Sequence, residues 1–552
     1  MFDQAIIDYA INILGFLPND LNEKLLGQVA HWIEKTENID FTGLNIRKAF
    51  DAWSFITDLK LTKGEWAGKP FPLLPWQTNE VLIPLFGTVD ENGYRQYRKC
   101  YVEVPKKNGK SPLGAAIALY LLMADGEYGA EVYSVASDRD QASIVFNIAK
   151  NMIEQEPELD AILDTLDSTK RIIYRAKNSY YRVLSSETAS KHGYNISGCI
   201  FDELHAQPNR ELYDVLTDGA GDARRQPLFF FITTAGWDKK SVCWEVHEYA
   251  RQVKEGVIDD PHFLPVLYGL PEDEDWRDEK NWYIANPSLD KTITLEKLQT
   301  AYKEAEYVPA KQNTFRRLRL NQWTSQDERW LPMDFWNKCD AAVDPESLKL
   351  KSCWCGLDLA SCTDIAAFAK IFLDEDGYYN VLMRFWVPEE NLYERAKRDR
   401  VPYDVWTREG YIKATPGNYI DHKTVEKDIL EDAETYHIQE IAFDRWGMEY
   451  MSQNMIAEGI EAFPFGQGYK SMSPPTKELL KLVLSMKIRH GGNPVLRWMA
   501  DNLVVETDAT ESVKPNKKKS TERIDGMVAL IMGLDRAIKQ NKDRAEVEVF
   551  AV

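Results

Sequence analysis

The sequence predicts an α/β chain of two sheet-based domains preceded by a helical extension. Three observations lead there. Apolar runs of strand length alternate with helical periodicity from about residue 66 to 255, the pattern of a parallel sheet with crossover helices. From residue 346 onward a second group of apolar strands carries acids at their ends. Ahead of both, Ile6, Ala10, Ile13, Leu14 and Leu17 fall at helical spacings within residues 1 to about 65.

The element that carries most chemistry is YVEVPKKNGKSPLGAAIALYLL, residues 101–122, where an apolar strand turns through Lys107, Asn108, Gly109, Lys110 and Ser111 into an apolar helix. A helix beginning at such a turn aims unpaired N–H groups and its positive dipole end at an anion. Lys110 can then reach β/γ-phosphates and Ser111 can bind Mg²⁺. The G-x-x-x-x-G-K-[ST] pattern (Walker A) is met except at its first glycine, where this chain has Val104. Pro112 is compatible with a first helical turn.

Upstream, FPLLPWQ ends in Trp76 and Gln77; the glutamine amide suits an adenine edge, or the start of a surface helix. Downstream, EVYSVASDRDQASIVFNIAKNMI (131–153) reads as a strand and a helix whose entry holds Arg139, by itself a surface arginine. The run ISGCIFDELHAQ (196–207) reads as a buried strand ending in Asp202 and Glu203, a Walker B arrangement. There Asp202 can hold Mg²⁺ and Glu203 can polarise an attacking water. A third strand, PLFFFITTAG, stops in Thr233 and Thr234, hydroxyls placed to sense a γ-phosphate.

Residues 256 to about 345 are acidic, then helical, then tryptophan-rich, and read as a linker or lid. In the second domain, CWCGLDLASCTDIAAFAKIF puts Asp358 on a strand and Asp364 in the following turn. IQEIAFDRWG ends a strand at Asp444, and RIDGMVALIMGLDRA opens an apolar helix at Asp525. Asp535 lies farther along the same helix. Three separated acids in these positions suit a ribonuclease-H-like site holding two Mg²⁺ or Mn²⁺ ions, about 3.5–4 Å apart, for phosphodiester cleavage. The basic run KPNKKKSTERIDG sets Lys517, Lys518 and Lys519 beside that helix, where they could hold a DNA backbone or form a solvated loop.

At 552 residues the chain exceeds one core. No apolar stretch is long enough for a membrane span, and the acidic start of the chain does not resemble a secretory signal. Seven cysteines, mostly in apolar strand contexts, suit reduced thiols. Cys353 and Cys355 lie one residue apart on one strand face, which is not zinc spacing. A net charge of −20 disfavours strong bulk affinity for DNA, although local basic clusters could line a path.

Taken together and in order, LLPWQTNEVLIPLFG, VPKKNGKS, ASDRDQA, IFDELHA, ITTAG, NQWTS, GLDLASCTDIAA, FDRWG, HGGNPVLRWMADN and RIDGMVALIMG resemble the large terminase subunit of tailed double-stranded DNA phages. The resemblance spans about residues 66–540. It implies a P-loop NTPase domain of ASCE type at 66–255, a linker at 256–345, an RNase H-like nuclease domain at 346–540 and a tail at 541–552. In that family the first phosphate-loop glycine is commonly absent. An arginine often stands beside the loop proline, where this chain has Lys106 and Lys107, point charges in place of a bidentate fork.

The resemblance further implies ATP-driven translocation of double-stranded DNA into a procapsid and metal-dependent endonucleolytic cutting. Gln77 would contact adenine, Lys110 and Ser111 phosphate and Mg²⁺, and Asp202 the Mg²⁺. Glu203 would be the catalytic glutamate, Thr233 and Thr234 the coupling motif, and Asp358, Asp444 and Asp525 the nuclease triad. Arg139 becomes a candidate arginine finger acting between subunits. Implied partners are the portal protein, a small terminase subunit and four further copies in a ring, in the host cytoplasm and without a membrane. Two alternatives share this vocabulary: a helicase-like ATPase fused to a resolvase-type nuclease, and a DNA-docking subunit with vestigial sites.

Overall fold

The computed structural model describes residues 3–184, 193–219, 221–324, 330–359, 365–390, 392–399, 401–444, 449–508, 510–517, 520 and 523–550. The chain divides into two compact units, residues 1–305 with 314–324, and residues 306–313 with 325–552.

The first unit begins with three helices, Gln4–Asn12, Glu23–Thr36 and Ile46–Asp58, each started by a side-chain cap: Asp3, Asn22 and Asn45 accept backbone N–H bonds that the first turn leaves over. Their apolar faces bury Trp32, Phe50 and Trp53 in the same core as the helix Lys110–Met123. Phe55 meets Tyr120 edge-on at 5.6 Å. The extension is thus packed on the helix that follows the phosphate loop.

The first sheet contains β1 (Lys99–Glu103), β2 (Glu131–Val135), β3 (Asp164–Leu166), β4 (Arg171–Tyr174), β5 (Ser179–Leu184), β6 (Gly198–Asp202), β7 (Leu228–Thr233) and β8 (Phe263–Leu267) in the order β3-β4-β5-β2-β6-β7-β1-β8. The run from β5 to β8 is parallel, while β3 and β4 add antiparallel pairing at one edge. Every residue of β6 and β7 is buried, as strands covered on both faces require. Register decides the site: Glu103 pairs with Thr233 and Asp202 with Ile232, so β1, β7 and β6 end at one level.

Residues 256–305 and 314–324 pack within this unit. Trp276, Trp282, Leu298, Phe315 and Leu320 form a cluster of their own, and Trp76 Nε1 donates to Ser288 Oγ at 3.0 Å.

The second unit carries β9 (Ser352–Asp358), β10 (Ala366–Leu373), β11 (Tyr379–Pro388), β12 (Lys413–Thr415), β13 (His437–Asp444), β14 (Glu461–Phe465) and β15 (Ile488–Arg489). The order is β12-β11-β10-β9-β13-β14, with β15 joined to β11. β9, β10 and β11 are antiparallel neighbours, β10 and β11 being linked by a hairpin in which Gly377 takes φ 76°. β13 and β14 run parallel to β9. The helix Asp525–Phe550 packs on β9 and β10 with Met527 to Met532 fully buried. A two-stranded ribbon, β16 (Val505–Thr507) with β17 (Val513–Pro515), precedes it.

Candidate active sites of the two units

In the first unit, β1 leads into a turn in which Lys107 (φ 75°) and Gly109 (φ 89°) adopt the left-handed region, and the helix starts at Lys110. A Cβ at Gly109 would stand 3.0 Å from Gln77 Nε2, the movable end of a side chain, so it is the left-handed conformation that favours glycine there. Lys110 is buried and folds back over the loop, its Nζ donating to the Val104 carbonyl at 3.2 Å and lying 3.9 Å from Glu203 Oε2. Burial lowers its pKa against the pull of Glu203 and Asp202.

Other loop residues are engaged by protein. Asn108 donates to Pro105 O at 3.2 Å and Asn286 Oδ1 at 3.0 Å, and accepts from Ser288 N at 3.0 Å. It therefore clamps the loop. Gln77 Oε1 accepts from Leu74 N at 3.0 Å, while its Nε2 reaches Gly109 O at 3.5 Å. Gln77 opens a π-helical turn, Gln77–Leu82.

A cavity of about 480 Å³ opens over the turn. Lys106, Lys107, Lys110, Ser111 and Glu203 are among its polar lining, and Leu61, Trp66, Phe71, Ile144 and Ile148 among its apolar lining. A lining that mixes lysines with apolar and aromatic side chains suits a molecule that has both a polyanionic part and a flat apolar part. Arg139 is exposed in the first turn of its helix, which Asp138 caps through Gln141 N at 2.8 Å; Gln141, and not Arg139, lines the cavity.

The acids stand opposite the lysine. Asp202 is 1% exposed, and neither carboxylate oxygen has a hydrogen-bond partner. Burial and the adjacent Glu203 push it up to about 7. Glu203 is in the left-handed region at φ 51° and its N–H donates to Ile232 O at 2.8 Å. Burial alone would raise Glu203, but Lys110, His205 and Lys106 outweigh it and hold the carboxyl at about 2. An orphaned buried carboxylate beside a lysine fits a bound divalent ion, which would supply the missing charge.

His205 ties this corner together. Its Nδ1 lies 3.2 Å from Glu203 Oε2, 3.2 Å from Thr233 Oγ1 and 3.3 Å from Thr234 Oγ1, and its backbone N–H donates to Thr233 Oγ1. Sequence reading passed over His205. The signal was its place three residues after Asp202, with the threonines on the next strand.

The end of β1 is anchored separately. Glu103, 2% exposed, accepts from Tyr101 Oη at 2.6 Å, Asn321 Nδ2 at 3.2 Å and Trp323 Nε1 at 3.2 Å, with His247 Nδ1 at 3.0 Å.

In the second unit, Asp358 ends β9 and Asp444 ends β13. Leu357 pairs with Phe443, so the two acids follow at the same end of adjacent parallel strands. Asp525 opens the helix packed on β9. Asp358 and Asp525, 2% and 3% exposed, are joined by Lys517, whose Nζ lies 2.7 Å from Asp358 Oδ2 and 2.8 Å from Asp525 Oδ1. Burial lowers the Lys517 pKa, but the two carboxylates overcome it and raise the group well above the ordinary lysine range.

The basic run predicts DNA contacts or a solvated loop for Lys517, Lys518 and Lys519; in the structure Lys517 bridges two acids. Lys518, Lys519 and Asp364 lie outside the described residues. Among the described residues no group of three or more acids, histidines or cysteines is close enough to hold a metal, so Asp444 is not drawn in with the other two. The held ammonium shows that Asp358 and Asp525 can grip a cation, and their hard oxygens suit Mg²⁺ or Mn²⁺. Asp535 is buried and paired with Lys539 at 2.7 Å.

Comparison with known proteins matches both units of the chain to one family. A family model for the ATPase domain of the terminase large subunit matches residues 75–252, and one for the endonuclease domain of the terminase large subunit matches residues 257–541. The chain is 33% identical over 480 residues to the terminase large subunit of Enterobacteria phage HK97, covering 86% of this chain and 92% of that one. It is 29% identical over 355 residues to protein YmfN of Escherichia coli K12, covering 62% and 78%. The crystal structure of the HK97 large terminase aligns with 30% identity over 89% of this chain and 99% of that one, at a TM-score of 0.44.

Proposed function

The chain belongs to the terminase large subunit family, and from that premise we propose how its residues divide the work of driving viral DNA into a capsid and cutting it. The family carries an ATPase and an endonuclease, and uses a nucleotide and divalent metal. Family membership displaces the helicase-like and vestigial-subunit readings.

The nucleotide is ATP, held with its phosphates over the turn 107–111 and its base toward Leu61, Trp66 and Ile144. Lys110 neutralises phosphate charge; Ser111 and Asp202 hold Mg²⁺, which supplies charge compensation on the phosphates when bound. Glu203, kept ionised by Lys110 and His205, orients and polarises the attacking water. Thr233 and Thr234 sense the outcome through His205 and pass it to the sheet. Gln77 acts on the site by holding the turn at Gly109. Arg139, exposed at its helix entry, is offered to a neighbouring copy. Copies assemble as a pentamer on the portal in the host cytoplasm, with a small subunit choosing the DNA.

In the second unit Asp358 and Asp525, with Asp444 at the end of the adjacent strand, would hold two Mg²⁺ or Mn²⁺ ions, which would supply water activation and charge stabilisation of the leaving oxygen. Lys518 and Lys519 hold the DNA backbone. The observation that carries the ATPase assignment is the orphaned Asp202 carboxylate set beside Lys110 and Glu203. DNA-stimulated ATP hydrolysis together with divalent-dependent plasmid cutting tests the whole reading. A purified chain active in neither assay would overturn it.

A further inference from the structure

Two acids buried together need positive charge, because a buried carboxylate without a partner is costly. Lys517 brings such a charge to Asp358 and Asp525 together, touching an oxygen of each. The lysine is carried there by the ribbon. β17 ends at Pro515, Asn516 N donates to Val504 O at 2.9 Å, and Asn516 Nδ2 donates to Glu506 at 2.7 Å. Lys517 is the next residue; its side chain is 39% exposed, and its ammonium reaches the two buried carboxylates. Its ammonium therefore stands between two of the three acids assigned to the metal ions. A divalent ion and an ammonium cannot share those oxygens, since both are cations at contact distance in a site of low dielectric.

We propose that Lys517 is the resident counter-ion of the cutting site: it holds Asp358 and Asp525 in place until a divalent ion replaces it, so that metal entry and Lys517 release are a single exchange. The inference rests on the reading of Asp358 and Asp525 as metal ligands. Lys517 is a positioning residue in the resting protein. On exchange its charge becomes available to DNA phosphate, which ties metal loading to substrate grip. A cutting site whose acids are held by an ammonium at rest also gives a packaging motor a reason not to cut the DNA it is moving.

The test is titration of the full chain with MnCl₂ alone, without nucleotide or DNA, followed by calorimetry. Parent, Lys517→Met, Lys517→Arg, Asp358→Asn and the Lys517→Met/Asp358→Asn double variant are compared. A bridge formed in about nine molecules of ten reduces apparent metal affinity about tenfold, so Lys517→Met should bind Mn²⁺ roughly tenfold more tightly than the parent. Lys517→Arg should not gain, and the double variant should lose the gain. A lysine serving only to stabilise the fold would instead weaken Mn²⁺ binding when removed.

Equal or weaker binding by Lys517→Met, with Asp358→Asn still impaired, overturns the exchange and leaves the metal assignment standing. Identical binding by the parent and Asp358→Asn overturns the metal assignment itself. Should Lys517→Met fail to fold, reductive methylation of the parent keeps the question open to decision. Labelling of Lys517, read by mass spectrometry, should rise as MnCl₂ is added, and labelling that does not change overturns the proposal.

Discussion

Gly356 on β9 and Gly533 on the helix Asp525–Phe550 meet backbone to backbone. A Cβ on Gly356 would lie 2.6 Å from Gly533 N, and one on Gly533 would lie 2.8 Å from Gly356 N. No real side chain fits at those distances. Because Gly356 precedes Asp358 by two residues on β9, and Gly533 lies two turns beyond Asp525 on the helix, this contact sets how close the two acids come.

Gly356→Ala is therefore expected to destabilise the second unit by about 1–3 kcal/mol or more, the range for overpacking, with backbone as the unyielding neighbour. Thermal unfolding should show the loss, and plasmid cutting should fall with it. A variant with parental melting and cutting would show that strand and helix can separate without consequence for the acids.

The two chemistries should come apart by mutation, since their residues lie in different units. Lys110→Ala and Glu203→Gln should abolish ATP hydrolysis and leave plasmid cutting, Glu203→Gln by about 10²–10⁴-fold if it polarises the water. Asp358→Asn, Asp444→Asn and Asp525→Asn should do the reverse. Parental cutting by Asp444→Asn would remove that residue from the metal set.

Asp202 makes a prediction about pH. Its folded value, about 7, lies above the ordinary 3.8, so the folded protein keeps a proton there that the unfolded chain has lost. Stability from this group thus falls as pH rises from about 4 to 7, and the deficit then stays constant. Glu203 acts oppositely: held at about 2 against an ordinary 4.5, it contributes stability above pH 4.5 that is lost as pH falls toward 2. In protein free of nucleotide and metal, Asp202→Asn should raise stability at pH 8 by at most about 4 kcal/mol, from roughly 1.36 kcal/mol per pH unit, and should not do so at pH 4. Melting at the two pH values decides it, with equal effects at both counting against a raised Asp202.

His205 is expected to govern turnover more than binding. His205→Ala should lower kcat for ATP by about 10²-fold, the scale of a misplaced reacting group, with little change in KM. His205→Asn, which retains a nitrogen near the Nδ1 position, should recover part. Loss confined to KM would place His205 in nucleotide binding.

Arg139, exposed at its helix entry, should act between copies. Arg139→Ala should slow ATP hydrolysis by about 10³–10⁵-fold, as removal of an arginine finger does. Mixing it with Lys110→Ala protein under conditions where rings form should restore part of the activity. A lone Arg139→Ala protein with parental turnover would reduce the residue to a surface cation.

The sequence by itself determined the chemistry that sits on consecutive residues. Gly109, Lys110 and Ser111 lie at a strand-to-helix turn, and Asp202 and Glu203 at a strand end, because the same local pattern that forms the element also exposes the group. Strand-end acids at 358 and 444 and the helix-opening acid at 525 were legible for that reason. Only the tertiary structure decided which distant groups meet. Lys517 reaches an aspartate 159 residues away, His205 reaches threonines across the sheet, and Asn108 spends its amide on Asn286. Register and close packing make these contacts: β1, β6 and β7 end at one level, and two glycines let a helix approach a strand. A lysine in a basic run reads locally as a DNA contact; two buried carboxylates, brought together by the fold, claim it first.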